Sequence, residues 1–342
     1  MKLQKIYRNE KHNQSFFVVD WMLHDRCTYD CSYCPPGNKQ GIDTWLNLST
    51  LKDFCDELEK HAANVDPNTK ILANFSGGEP TVWKHFPELL DALTQRGWLI
   101  SISTNASRSI NWWKENARKF AKINLSYHTE SVVDDEFLEK VRVCEEYSQT
   151  SVNIMLNPDP KFFNKAINFN KILLAETTKT GVHNHQIQHN FGMQTIMVPY
   201  YTKMQKEIMS TLLDRTPAVH PDQVHIRHNY FHSTIYGLKK STDGSNLIDK
   251  NLVNFENWIC SAGIEGVFVD SAGRVSRGTC RMGGELGNIQ EPNNINWPTT
   301  PILCKKNWCG CITDILKSKH DTKKFTLTER IKDFITDVKN GR

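Results

Sequence analysis

The sequence predicts an α/β fold in which a parallel sheet is covered by helices, followed by a smaller region held by metal. Two observations carry this expectation. From residue 16 to about residue 200, apolar strand-like runs alternate with helical periodicity six or so times. That pattern belongs to a parallel sheet, either an open doubly wound sheet or a full or partial barrel. The unusual residue clusters also fall together at the carboxyl ends of the strands, the rim where such sheets carry their chemistry.

The elements follow in order. FFVVDWML (16–23) reads as a buried first strand running into the cysteine loop CTYDCSYC (27–34). STLKDFCDELEKHA (49–62) puts Leu51, Phe54, Cys55, Leu58 and Ala62 on one helical face. ILANFSGG (71–78) is the second strand, ending in glycines, and LISISTN (99–105) the third. INLSYH (123–128) is the fourth, and SVNIMLN (151–157), closed by Pro158, the fifth. Helices are expected at HFPELLDALTQRGW, SINWWKENARKFA, DDEFLEKVRVCEEY and KFFNKAINFNKILLAETT, with a sixth strand between residues 181 and 199. The chain turns polar and loop-rich after about residue 237. We expect a core domain over 1–238 and a second domain over 239–342 that ends in a helix.

Composition narrows the class. Hydrophobic content is 39% and charged content 23%, as in an ordinary globular chain. No run of about 18 apolar residues is present, so no spanning helix is expected. The start MKLQKIYRNEKHNQ lacks the apolar core of a secretory signal, so a cytoplasmic location is expected. A net charge of +4, with both signs interspersed, gives no footprint for nucleic acid. The ten cysteines are clustered: Cys27, Cys31 and Cys34 near the start, Cys260, Cys280, Cys304, Cys309 and Cys311 near the end. Without a secretory signal, such clusters read as metal or redox chemistry. Cys55 and Cys144 stand on helical faces among apolar neighbours and read as small buried hydrophobes.

Three cysteines spaced C-x3-C-x2-C leave two readings. A zinc site would recruit a distant fourth ligand. A 4Fe–4S cluster on three thiolates would leave one iron for a ligand from outside the chain. The SGGEP stretch (76–80) ends the next strand: Gly77 and Gly78 permit close backbone approach, Glu79 offers a carboxylate to an ammonium, and Pro80 closes the turn.

Together these motifs resemble the radical S-adenosylmethionine (SAM) enzymes, whose first-strand loop carries C-x3-C-x2-C with an aromatic before the third cysteine, here Tyr33. The resemblance implies a partial (β/α)6 barrel, with Cys27, Cys31 and Cys34 holding a 4Fe–4S cluster whose fourth iron is chelated by SAM. The GGEP motif would receive the methionine amino group, and an electron from the cluster would generate a 5′-deoxyadenosyl radical that removes a hydrogen atom from substrate. STNAS (103–107) places Ser103 and Asn105 where family members contact ribose hydroxyls or the SAM carboxylate; an Asx turn explains the same residues. Ser126, His128 and Glu130 would face SAM or substrate. Asn157, Met197 and Val198 are candidates for adenine contact. His128 as a base and Cys144 as a hydrogen-atom donor are the catalytic candidates.

The C-terminal pattern resembles the SPASM/twitch extension of a subset of these enzymes. Cys260 and Cys280 flank a hairpin turning at SAG, MGGELGNI follows, and CKKNWCGC supplies the last three cysteines. The shorter, twitch form implies one auxiliary 4Fe–4S cluster, with five candidates for four places and the C-x-C pair Cys309/Cys311 departing from the usual spacing. Zinc is the alternative. The resemblance further implies a reductase partner such as flavodoxin or ferredoxin and a small-molecule or peptide substrate. With the cluster loop starting at Cys27, no leader-binding domain is expected before it, which favours a small molecule or a substrate delivered by another protein. The competing classes are a non-catalytic iron–sulfur electron carrier and a zinc-stabilised binding protein on the same fold.

Overall fold

The computed structural model describes residues 3–8, 16–34, 36–180, 184–189, 201–212, 229–233, 238–242, 244–249 and 251–322. In chain order the elements are β1 (Leu3–Arg8), β2 (Phe16–Met22), α1 (Leu48–Val65), β3 (Lys70–Ser76), α2 (Phe86–Gln95), β4 (Leu99–Thr104) and α3 (Ile110–Asn116). Then come β5 (Lys122–His128), α4 (Asp134–Tyr147), β6 (Gln149–Leu156), α5 (Pro160–Thr180), β7 (Asn184–His189) and α6 (Lys203–Leu212). The remainder is β8 (Asn229–Ser233), β9 (Leu238–Thr242), α7 (Gly244–Asp249), β10 (Trp258–Cys260), β11 (Gly266–Val269), β12 (Arg274–Ser276), β13 (Glu285–Asn288), β14 (Ile302–Leu303), α8 (Ile312–Ile315) and β15 (Lys319–Asp321). Met197, Val198 and the expected C-terminal helix lie outside the described residues.

The chain forms two compact units, one of Met1–Met22, Leu46–Ala73 and Val224–Arg342, the other of Leu23–Trp45 and Asn74–Gln223. The second holds the end of β3 and then β4, β5, β6 and β7, adjacent in that order. The β4–β5, β5–β6 and β6–β7 pairings are parallel, as the strand–helix alternation predicts. Along β5 burial alternates: Ile123, Leu125 and Tyr127 are fully buried, whereas Asn124, Ser126 and His128 are half-exposed. β6 repeats the alternation, with Val152, Ile154 and Leu156 buried. Parallel strands covered on both faces read as continuous apolar runs. Here only one face is apolar, and the other is a polar surface of Ser103, Asn124, Ser126, His128, Ser151 and Asn153 in register. A sheet with helices outside and a polar inner face fits a partial barrel.

The apolar face is packed by α4 and α5. Phe137 of α4 meets Tyr127 edge-on at 5.3 Å, and Phe169 of α5 stacks on Tyr127 at 3.8 Å. Burying each such ring contributes about 1.5–3 kcal/mol.

The first unit contains two sheets. One is six-stranded, in the order β14-β10-β15-β1-β8-β9, and its assigned pairings are antiparallel. In the other, the predicted hairpin β11–β12 pairs in parallel with β2 through β11, register Gly266↔Val18 to Val269↔Trp21. α1 begins at Asn47, whose side chain accepts the N–H groups of Ser49 and Thr50 as an N-cap should. Its buried face is Leu51, Phe54, Cys55, Leu58, His61 and Ala62. Phe54 packs edge-on against Trp21 of β2 at 5.3 Å.

Candidate functional site

In the second unit, the cysteine loop leaves the sheet and returns on itself. Arg26 bridges Gln40, the Cys27 N–H donates to the Lys39 carbonyl at 3.3 Å, and the Gly41 N–H donates to Asp25 at 3.2 Å. Lys39 Nζ donates to the Cys31 carbonyl at 3.0 Å, pinning the middle of the loop. The loop presents three thiols, Cys27 and Cys34 half-buried and Cys31 buried. Burial pushes the Cys31 thiol up to about 11 and raises those of Cys27 and Cys34. Thiols so placed become ligands by exchanging a proton for metal.

The SGGEP turn docks directly on this loop. The Gly78 N–H donates to the His24 carbonyl and the Glu79 N–H to the Arg26 carbonyl, both at 2.8 Å. The approach is so close that a Cβ on Gly77 would lie 2.4 Å from His24 O, and one on Gly78 2.2 Å from Arg26 O. Gly77 also takes φ of 120°, which side chains disfavour.

Glu79 is fully buried. Its Oε1 accepts the Thr81 N–H at 3.2 Å, the Thr81 hydroxyl at 2.7 Å and the Thr104 hydroxyl at 2.8 Å, and Oε2 accepts the Asn105 N–H at 2.6 Å. Burial raises its pKa, against the pull of these donors. The carboxylate therefore ties the second strand end to the third. Asn105 continues the chain of contacts, its Nδ2 donating to Cys27 Sγ at 3.5 Å and Thr28 Oγ1 at 3.2 Å. Pro80 is buried beside Glu79.

At the fourth strand end, the Tyr33 hydroxyl lies 2.5 Å from His128 Nδ1, and Cys31 Sγ is 3.6 Å from the same nitrogen. Burial lowers the His128 pKa to about 4. Glu130 accepts the Ser32 N–H at 2.8 Å and its hydroxyl at 2.6 Å, and also takes Asn157 Nδ2. Ser103 and Ser126 sit on the polar face of the sheet. Cys144 is fully buried in α4, where burial raises its thiol pKa. Thr81 and Lys39 lie outside the sequence motifs, and Thr104, although inside STNAS, carries no signal of its own there.

In the first unit, strand register assembles the late cysteines. Cys260 pairs with Ile302 across β10–β14, and the Cys304 N–H donates to Trp258 at 2.8 Å, extending that ladder. Cys260 and Cys304 thus lie on one face, two positions apart along it. The Cys309 N–H donates to Val253 at 3.0 Å, and Cys304 and Cys309 pack on the apolar cluster of Ile6, Leu247, Val253, Phe255 and Trp258. Ionisation of Cys260 would oppose that of Cys280, Cys304 and Cys309, and ionisation of Cys280 that of Cys309. Burial raises all three thiols, that of Cys309 to about 12.

Cys311 has different neighbours. Its sulfur lies within 4.8 Å of carboxylate oxygens of Asp20 and Asp314. Asp314 is bound by Lys317 Nζ at 2.7 Å and by the Thr279 N–H and hydroxyl at 2.8 and 2.6 Å. An ammonium already neutralises the place where a cation would bind. Among the described residues, this is the only group of three potential ligand atoms drawn within 4.8 Å of one another.

A loop of three thiols thus stands beside a glycine turn at the carboxyl rim of a parallel sheet. The Radical SAM superfamily model matches residues 21–207, more than half of the chain. The chain belongs to the radical SAM superfamily and is an enzyme of SAM and a 4Fe–4S cluster. It is 33% identical over 111 residues to an Fe-coproporphyrin III synthase of Methanosarcina barkeri, covering 32% of this chain and 25% of that protein. It is 29% identical over 132 residues to an S-adenosylmethionine-dependent nucleotide dehydratase of Psychrobacter lutiphocae, 35% and 43% of the two chains. To mycofactocin maturase MftC of Mycolicibacterium smegmatis it is 31% identical over 90 residues, 26% and 21% of the two. The chain thus matches less than half the length of each. Native anSMEcpe with bound AdoMet superposes with a TM-score of 0.46 at 13% identity, over 81% of this chain and 78% of the other. No helix among the described residues is long and apolar enough to cross a membrane.

Proposed function

We propose that Cys27, Cys31 and Cys34 hold the 4Fe–4S cluster to which SAM binds, and that the enzyme abstracts a hydrogen atom from a small-molecule or peptide substrate. The observation that carries this reading is Asn105. It joins Glu79 through its N–H and Cys27 through its side chain, so three strand ends converge beside the thiols. When bound, cluster and SAM supply reductive C–S cleavage to a 5′-deoxyadenosyl radical.

This chain's own residues do the rest. Because the Glu79 carboxylate is spent on Thr81, Thr104 and Asn105, the GGEP backbone is the part left for the methionine amino group. His128 and Tyr33 brace Cys31, and Glu130 with Asn157 holds Ser32 in the same loop. The half-exposed Ser103 and Ser126 would turn toward cofactor or substrate from the polar face. Cys144 serves packing. A reductase such as flavodoxin or ferredoxin would supply the electron.

In the same reading, a second 4Fe–4S cluster sits on Cys260, Cys280, Cys304 and Cys309. The opposition of Cys260 to ionisation of Cys280, Cys304 and Cys309, and the shared sheet face of Cys260 and Cys304, support that set. Cys311, among Asp20, Asp314 and Lys317, is the spare.

The test is anaerobic reconstitution followed by assay for 5′-deoxyadenosine with dithionite. Formation of 5′-deoxyadenosine that is lost in Cys31→Ala is the expected result. A brown, iron-loaded protein that leaves SAM intact would instead support the non-catalytic electron carrier.

A further inference from the structure

Lys319 carries an ammonium into the interior of the first unit. The residue is 2% exposed, and the β10–β15 register sets it opposite Cys260. Its Nζ donates to the Asp314 carbonyl at 2.6 Å and stands 4.3 Å from the centre of the Phe255 ring. Among the described residues, no carboxylate oxygen pairs with it. The side-chain oxygens of Asp314 go to Lys317 and Thr279 instead. A buried ammonium without a counter-charge is costly, and a carbonyl and a ring compensate it only in part. Cys260 and Cys309, once ionised as ligands, would act on it more strongly than Asp314 does. Phe255, under the ammonium, belongs to the same apolar cluster on which Cys304 and Cys309 pack. Sequence, register and packing therefore aim one fixed cation at the thiols from the side of the sheet.

We propose that Lys319 is the built-in counter-charge of the second cluster: a positioning residue that holds it in place and raises its reduction potential. The proposal rests on the assignment of Cys260, Cys280, Cys304 and Cys309 as its ligands. A cluster on four thiolates is anionic, and reduction adds a further negative charge. Net charge and burial around such a cluster set its potential. A cation fixed beside Cys260 and Cys309 stabilises the reduced form more than the oxidised form. Lys317, paired to Asp314, supplies no such net charge.

The test uses the full chain with Cys27, Cys31 and Cys34 all changed to Ala, which leaves the second cluster alone to be followed by EPR in a redox titration. At the potential where the parent is half reduced, Lys319→Met and Lys319→Gln should each lower the reduced-to-oxidised ratio about tenfold or more, equivalent to about 59 mV for one electron. Lys319→Arg, which keeps the charge, should stay within about twofold. Loss of cluster iron in the Met and Gln variants with retention in Arg would equally support a counter-charge. An unchanged ratio in Met and Gln, an equal shift in Arg, or iron loss in all three would overturn the proposal. A parent without iron would overturn the second cluster itself, which separates that failure from a failure of Lys319.

Discussion

The Tyr33 hydroxyl lies 2.5 Å from Nδ1 of His128, across ninety-five residues of chain. Burial holds the imidazole neutral, and in a neutral ring Nδ1 either accepts from the hydroxyl or donates to it, according to the tautomer. The pair braces the loop residue between Cys31 and Cys34 against the fourth strand. Tyr33→Phe leaves Nδ1 without that partner and should cost about 1–3 kcal/mol. Urea unfolding of the cluster-free protein measures it, and iron release to a chelator should quicken in the loaded protein. Unchanged stability and iron release would show that the contact does not hold the loop.

Gly78 is confined by a carbonyl, not by a side chain that can swing away. Gly78→Ala drives a methyl to 2.2 Å from Arg26 O, so the turn must lift off the cysteine loop. We expect SAM affinity to fall about tenfold or more, equivalent to about 1.4 kcal/mol, in equilibrium binding to the reconstituted protein. Gly97→Ala is the control, because its φ is 73° but no atom lies within 4 Å of the added carbon. It should cost stability of about 1–2 kcal/mol and leave SAM binding alone.

Glu79→Gln retains shape but replaces one acceptor oxygen by an NH2 group facing donors. With Thr81, Thr104 and Asn105 all directed at the carboxylate, the variant should lose about 2–3 kcal/mol of unfolding free energy. Removing one hydroxyl donor, in Thr104→Val, should cost less. Equal stability of wild type and Glu79→Gln in denaturant titration would argue against the carboxylate as the tie between strand ends.

His24 gives the unit an acid sensitivity. It is fully buried, its Nδ1 accepts the Arg26 N–H at 3.1 Å, and burial lowers its pKa from 6.5 to about 4. Between those values the unfolded chain binds a proton that the folded chain refuses. Its stabilising contribution is therefore complete above pH 6.5 and is lost as pH falls towards 4, at up to about 1.4 kcal/mol per pH unit. His24→Asn keeps an acceptor for Arg26 and does not titrate. Unfolding of cluster-free protein between pH 7 and 4.5 should show a shallower slope in the variant; parallel slopes would exclude His24 as the source.

The strand–helix alternation was readable because local periodicity encodes it, and DDEFLEKVRVCEEY is helix α4 from end to end. The motif residues were also readable, since C-x3-C-x2-C and GGEP are contiguous. β1 was not, because its partners β15 and β8 lie more than two hundred residues away and nothing local announces them. Glu79 read as a ligand for an ammonium, yet its oxygens meet donors from Thr104 and Asn105 that only folding brings near. Lys319 lies in none of the sequence motifs. It is buried because β15 lies between β10 and β1, a fact of topology and not of composition.

Two clusters with Cys311 outside both set the iron content of the anaerobically reconstituted full chain. About eight irons per chain in wild type and in Cys311→Ser, falling to about four in Cys309→Ser, is the predicted result for two 4Fe–4S clusters. About four irons in wild type would contradict the second cluster, and loss of iron in Cys311→Ser but not in Cys309→Ser would contradict its ligand set.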